Sequence, residues 1–458
     1  MTGRMIAVIT EDVVAESMAG PAIRALNIAA SLAADGHAVT LISTTRCTLQ
    51  RVDFQAKFVS LAALRKALES FEIVVAQGFV TYHAPYLLNG DKILVLDMYD
   101  PMHLEQLEQA AELSPMRSTA TMDLTVRVLN DQLVRGDFFL CASEQQRHLW
   151  LGQLGALGRL NLANYRHDNT LRQLIDVCPF GLSSEPPART GSGMRAIPGI
   201  GPSARVLLWA GGVYNWFDPL TLVRAVGEVS KRRSDLRLFF LGMQHPNADV
   251  PSMRMAAQTR ELAAELRLDK RVVFFNEGWV PFAERANYLL DADAGVSTHL
   301  SHVETAFSFR TRILDYIWAG LPIISTGGDY FGDLVGAAGM GARVEAHDVF
   351  GLADAIETVV YDDDVRKRSA EAVAAVREEF RWETTLAPLV EFCRAPRRAA
   401  DADADQRRIA RSPLVPRTAV GRQAQRGMTL LRQGGLPMLG QRVLARTDRV
   451  IRQRRQHR

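Results

Sequence analysis

Apolar runs of strand length alternate with helically spaced apolar residues through most of the chain, which predicts parallel sheets covered by helices. In the first half the expected strands are 6–9, 38–42, 73–76, 93–96 and 138–141. Between the first two, residues 23–33 repeat apolar side chains at helical spacing and Gly36 supplies a stop. The Gly/Pro/Ser-rich stretch 186–202 reads as a linker, and a second series of strands is expected at 206–209, 236–241, 272–275, 295–297 and 322–325. At 458 residues the chain exceeds what one hydrophobic core usually organises. The pattern therefore predicts two similar α/β domains, 1–185 and 203–380, with a return helix at 381–393 and a tail at 394–458.

Composition narrows the class. The 47% apolar content supports packed cores. Met1 to Arg4 lead straight into the first strand without an apolar leader, and no stretch approaches the about 18 apolar residues of a membrane span. Cys47, Cys141, Cys178 and Cys393 are too far apart for a zinc site or a disulfide scaffold, so a reduced cytoplasmic setting is expected. Charge is uneven: from Arg394 to Arg458 there are 17 Arg and four Asp, a balance of +13 against −10 for the remainder. An acidic body argues against nucleic-acid binding there and makes the tail a separate problem.

The densest chemistry lies in Glu304-Thr305-Ala306-Phe307-Ser308-Phe309-Arg310-Thr311-Arg312-Ile313-Leu314-Asp315. The pattern predicts a loop, a helix over 308–318, a turn at Gly320 and a buried strand from Pro322. Free amides at the helix start favour an anionic phosphate, and Arg310 and Arg312 add charge-assisted bonds. Asp315, about 10 Å along that helix, leans back toward its start and is placed for ribose hydroxyls. A solvated helix with an Arg312–Asp315 pair at i,i+3 is the plainer alternative.

This segment resembles the signature of retaining GT-B glycosyltransferases of the family-4 type, in which two Glu separated by seven residues precede a Gly-Leu-Pro turn. Anchored on Gly320-Leu321-Pro322, the second Glu falls on Asp315 and the first on Phe307, which has no carboxylate. Glu304 is the nearest acid, one turn earlier. The resemblance covers roughly residues 5–392 and implies a GT-B architecture: two Rossmann-like domains facing a central cleft, acceptor side first and nucleotide-sugar side second.

Met18-Ala19-Gly20-Pro21-Ala22-Ile23-Arg24 is similar to the family's glycine loop, where Gly20 lets backbone approach a ligand. Ala210-Gly211-Gly212-Val213-Tyr214-Asn215-Trp216 occupies the phosphate-loop position but lacks the customary Arg and Lys, leaving the charge to Arg310 and Arg312. Trp216 and Asp218 have simple readings as a helix-entrance aromatic and an N-cap before Pro219. Leu241-Gly242-Met243-Gln244 and Phe275-Asn276-Glu277-Gly278-Trp279-Val280 match the loops near the nucleobase. Tyr99-Asp100 stands where the family often has His-Asp, and His83 is a weaker candidate.

The resemblance implies transfer of a sugar from a nucleoside diphosphate sugar to an acceptor hydroxyl, with retention and without a cofactor. Asp100 and Glu304 are the candidate catalytic contacts. The candidates for nucleotide-sugar binding are Gly20, Gly211, Gly212, Gly242, Trp279, Val280, Ser308, Phe309, Arg310, Arg312 and Asp315. The Asp291/Asp293 pair and the Asp401, Asp403, Asp405 run are assigned no metal. Expected partners are the donor, a saccharide or lipid-linked acceptor and, through the tail, an anionic membrane surface, but no nucleic acid. The expected context is bacterial envelope polysaccharide or glycolipid synthesis on the cytoplasmic face. Two other readings stay open: a nucleotide-sugar epimerase on the same architecture, and a catalytically silent assembly protein, suggested by Phe307 and the bare phosphate loop.

Overall fold

The computed structural model of the chain describes residues 3–110, 114–243, 253–278 and 280–402. Its first sheet contains β1 (Met5–Thr10), β2 (Ala38–Ser43), β3 (Gln55–Phe58), β4 (Ile73–Gln77), β5 (Ile93–Asp97), β6 (Phe138–Cys141) and β7 (Ile175–Val177). The second contains β8 (Arg205–Trp209), β9 (Leu236–Phe240), β10 (Val273–Phe275), β11 (Ala294–Ser297), β12 (Ile323–Thr326) and β13 (Gly341–Val344). The orders are β3-β2-β1-β4-β5-β6-β7 and β10-β9-β8-β11-β12-β13. Every pairing is parallel.

Helices on both faces require central strands with no polar side, and β4 and β5 are buried at every position. The edge strands escape this requirement. Gln55–Phe58 is half-exposed and Gly341–Val344 carries an exposed Arg343, so neither is an apolar run and neither was expected from the pattern. Both sheets reverse direction beside their first strand, between β1 and β4 and between β8 and β11. In such sheets ligands sit outside the carboxyl ends of the strands at that reversal.

The stretch 186–202 does not hang free between the sheets. Asn287 Oδ1 accepts from the amides of Thr190 and Gly191 at 2.8 and 3.0 Å, and Asp291 accepts from Arg195 N at 3.0 Å. A side chain at Gly193 would lie 2.2 Å from the Asn287 carbonyl oxygen, so only glycine lets the strap lie this close. The chain later returns to the first sheet: Trp382 packs on Phe180 at 4.8 Å between ring centres, and Phe392, in the helix Ala387–Arg394, stacks on Phe138 at 4.5 Å. One apolar cluster runs continuously from Ile6 to Cys393 and joins the two units.

The expected tail begins too early at Arg394. Arg398 Nε reaches Asp137 at 3.0 Å, and the fully buried Asp401 accepts from Arg159 Nε and Nη2 at 2.7 and 3.0 Å. Removing one member of a buried pair costs about 3–5 kcal/mol, so residues 395–402 belong to the folded body. The rest of the expected tail, 403–458, lies outside the described residues.

Candidate functional site

A cleft of about 430 Å³ opens between the units where the carboxyl ends of both sheets meet. Its first wall comes from Gly20 and the start of the helix Gly20–Ala34; its second includes Gly211 and Gly212 after β8 and Gly242 after β9. Gly20 has open space where a side chain would stand, and its helix has no side-chain cap, so the free amides meet no internal acceptor from that residue. Gly211 holds φ at +81°, a conformation that favours glycine, and turns the chain under the cleft.

The expected helix over 308–318 is instead two helices, Val303–Phe307 and Arg312–Ala319. Ser308 is extended (φ −76°, ψ 152°), and its hydroxyl donates to Thr305 O at 3.0 Å; it is buried and does not line the cleft. The break re-aims the segment. Arg312 becomes the first helical residue and Asp315 the fourth, one turn and about 4.5 Å from the start rather than 10 Å. Phe309, Arg310, Arg312 and Asp315 all line the cleft, as does Val280. Trp279 and Gln244 lie outside the described residues.

The two arginines differ in what neutralises them. Arg310 makes a bidentate pair with the buried Glu304 at 2.8 and 2.6 Å, and its Nε is 3.5 Å from Asp329. Behind it His299 Nε2 lies 3.2 Å from Asp329; burial, then Arg310, push the imidazole down to about 2, so it is neutral. Burial pushes Asp329 up to about 6 against the pull of Arg310. Arg312 has no carboxylate within ion-pair reach among the described residues. Its Nη2 donates to Gly212 O at 2.8 Å, its guanidinium stands 4.3 and 3.9 Å from the rings of Trp209 and Phe217, and Nη1 has no partner. Burial first, then repulsion by Arg310, lower it to about 10, which still leaves it charged at neutral pH. The i,i+3 pair with Asp315 does not form, because Asp315 accepts from Arg285 Nε at 3.0 Å.

Glu304 lies behind the cleft rather than on it, and Asp100 lines a smaller cavity beside it. Glu105 lies on the cleft wall and, with Asp100 and Glu304, forms an acidic group across the junction of the two units. Burial, followed by Glu304 and Asp97, pushes Asp100 up to about 7; burial and then Asp100 hold Glu105 well above the carboxylate range. Gln146 Nε2 crosses the same junction and donates to Phe307 O at 2.9 Å. Tyr99 stands under Arg24, 4.7 Å from the guanidinium, and Arg24 is held by Asp97 at 2.7 and 2.8 Å.

Sequence reasoning missed Glu105, Tyr214, Phe282 and Arg285, all on the cleft wall. Arg285 stacks on Phe282 and Trp318 at 3.5 and 4.3 Å while holding Asp315, a link across 30 positions that no local pattern carries. Trp216 stacks on Tyr214 at 4.9 Å and lines the cleft, while Asp218 caps the helix Pro219–Ser230 by accepting from Thr221 N. His83 bonds Glu11 away from the cleft. The aspartates assigned no metal pair with arginines: Asp291 with Arg189 at 2.8 Å and Asp293 with Arg205 at 2.9 Å.

Comparison with known proteins bears on this geometry. Residues 204–362 match the family model described as "Glycosyl transferases group 1". A D-inositol 3-phosphate glycosyltransferase of Paenarthrobacter aurescens is 26% identical over 225 residues, 48% of this chain and 51% of that protein. One of the same name from Pseudarthrobacter chlorophenolicus is 28% identical over 223 residues, 47% and 49% of the two chains. The chain thus spans about half the length of the curated relatives it matches. Among solved structures, HepE of Anabaena in complex with UDP and glucose superposes with a TM-score of 0.62 over 86% of this chain and 100% of that one. At 13% identity that likeness concerns the fold. No helix among the described residues is long and apolar enough to cross a membrane.

Proposed function

We propose that this chain, a GT-B glycosyltransferase by family and fold, moves a sugar from a nucleoside diphosphate donor to an acceptor hydroxyl, with retention of configuration. One observation carries the donor reading: Arg312 is a buried cation on the cleft wall without a carboxylate partner. A diphosphate beside it supplies the missing charge. As the glycosidic bond loosens, negative charge grows on the leaving diphosphate, and the fixed guanidinium with the Gly211 and Gly212 backbone stabilises it. Asp315, fixed on one oxygen by Arg285, takes the ribose hydroxyls with the other. Arg310 acts mainly through Glu304, so its share of the phosphate is smaller than its position in sequence implied.

Asp100 serves the sugar or acceptor from the first unit, and the leaving phosphate itself can take the acceptor proton. The wider role we propose is bacterial envelope polysaccharide or glycolipid assembly at the inner face of the cytoplasmic membrane, with the arginine-rich segment beyond residue 402 contacting anionic lipid.

The test is calorimetry of the full chain with UDP, GDP, ADP and dTDP, followed by product analysis with the matching sugar nucleotide. Binding of one nucleotide, with sugar delivered to an acceptor at unchanged anomeric configuration, is the expected result. No binding of any of the four removes the donor reading. A changed sugar without an acceptor identifies an epimerase. Sedimentation with anionic vesicles, comparing the full chain with one ending at Ala402 so that Asp401 is kept, tests the lipid contact.

A further inference from the structure

Beside the main cleft lies a second cavity of about 130 Å³, at the carboxyl ends of β1, β4 and β5. Pro21 lines this cavity and Gly20 lines the cleft, so the two spaces are separated by one step of backbone. The volume equals a few water molecules, enough for the diol edge of a sugar ring rather than a whole disaccharide.

Its lining is one-sided in charge. Glu11, Asp12, Asp97 and Asp100 contribute four carboxylates, and none of the described lining residues is Lys, Arg or His. Arg24, buried behind the wall, neutralises Asp97 alone. The carboxylate of Asp100 makes no hydrogen bond among the described residues. Gln77 is the second and independent observation. It is 7% exposed, and its Nε2 donates to Thr10 Oγ1 at 2.7 Å and to Pro21 O at 2.9 Å, which fixes the amide's orientation. Its Oε1 is left without any partner. A buried amide oxygen without a donor is costly, and a ligand hydroxyl supplies the donor.

We propose that this cavity binds the hydroxyl-bearing edge of an uncharged polyol acceptor, and that its carboxylates reject acceptors that carry a phosphate. The proposal rests on the glycosyl-transfer reading for its word "acceptor", but the binding it asserts does not. The wall offers acceptors, namely Gln77 Oε1 and the carboxylates, and sugar hydroxyls are donors that match them. A phosphate brings only acceptor oxygens and like charge, and juxtaposed like charges oppose binding.

The test uses the full chain at pH 8, with UDP present, and saturation-transfer NMR titrations of methyl glucoside, methyl mannoside and myo-inositol. Glucose 6-phosphate, mannose 6-phosphate and inositol 1-phosphate are titrated in parallel, with glucosamine as the cationic control. At least one neutral polyol should bind at least tenfold more tightly than its phosphate ester. Gln77→Met should weaken that binding at least fivefold. Asp100→Asn, which breaks no hydrogen bond among the described residues, should narrow the preference over the phosphate ester. A phosphate ester binding as tightly as its parent overturns the proposal. So does the absence of any neutral binder, or neutral binding untouched by both variants. Glucosamine binding tenfold more tightly than glucoside overturns the uncharged assignment. Nucleotide calorimetry on the same samples separates failures: lost UDP binding with retained polyol binding counts against the donor reading only.

Discussion

The two walls of the cleft face one space with opposite solutions to burying charge. On the second unit Arg310 is fully matched by Glu304, while Arg312, two residues on, has rings, one carbonyl and an unpartnered nitrogen. On the first unit Asp100 and Glu105 are carboxyls without a cation in contact, and they respond by holding their protons. Paired charge builds the wall; unpaired charge is left for a ligand or suppressed by protonation. Buried ions without partners are expensive, which makes those that persist the informative ones.

The largest way to break this comparison is Arg310→Ala. It strands Glu304 and should destabilise the protein by about 3–5 kcal/mol in urea unfolding, whereas Arg310→Met with Glu304→Met should recover much of that loss. If Arg310→Ala leaves stability unchanged, the pair is not structural. Next comes Arg312→Gln, which should weaken nucleotide diphosphate binding by about 1.5–3 kcal/mol, roughly tenfold to hundredfold, with a smaller effect on stability. Unchanged affinity in calorimetry would show that its orphan charge serves packing alone.

Asp315→Asn should lower donor affinity by about 1 kcal/mol, measured under subsaturating donor, because Arg285 keeps the side chain placed but one anionic acceptor is gone. Wild-type affinity in that variant would return Asp315 to a purely structural pairing.

The smallest effect concerns Asp100. A carboxyl raised to about 7 contributes stability that is complete below its unfolded value near 3.9 and is lost as pH rises through about 7. Asp100→Asn removes that loss, so the variant should gain on the wild type by the order of 1 kcal/mol between pH 4 and pH 8. Parallel pH profiles for the two proteins would mean that Asp100 is ionised throughout.

Much of the fold was legible because parallel strands buried on both faces must be apolar runs, and runs such as 73–76 and 93–96 need no partner to be recognised. The edge strands Gln55–Phe58 and Gly341–Val344 were not, since an edge strand need bury little. The site divides the same way. Gly20, Gly211 and Arg312 stand out because backbone approach and helix starts are local properties of sequence.

What the sequence by itself determined was the order of strands and helices, the glycine turns at the cleft and the presence of cations and acids in 304–315. Only the tertiary structure decided which of those charges are already matched. Ser308 breaks the expected helix and turns Arg310 onto Glu304, Arg285 crosses from another helix to Asp315, and Asp401 returns from the end of the body to Arg159. The physical reason is that helix and strand periodicity act over a few residues, whereas charge neutralisation in a buried wall depends on distances between segments that folding alone brings together.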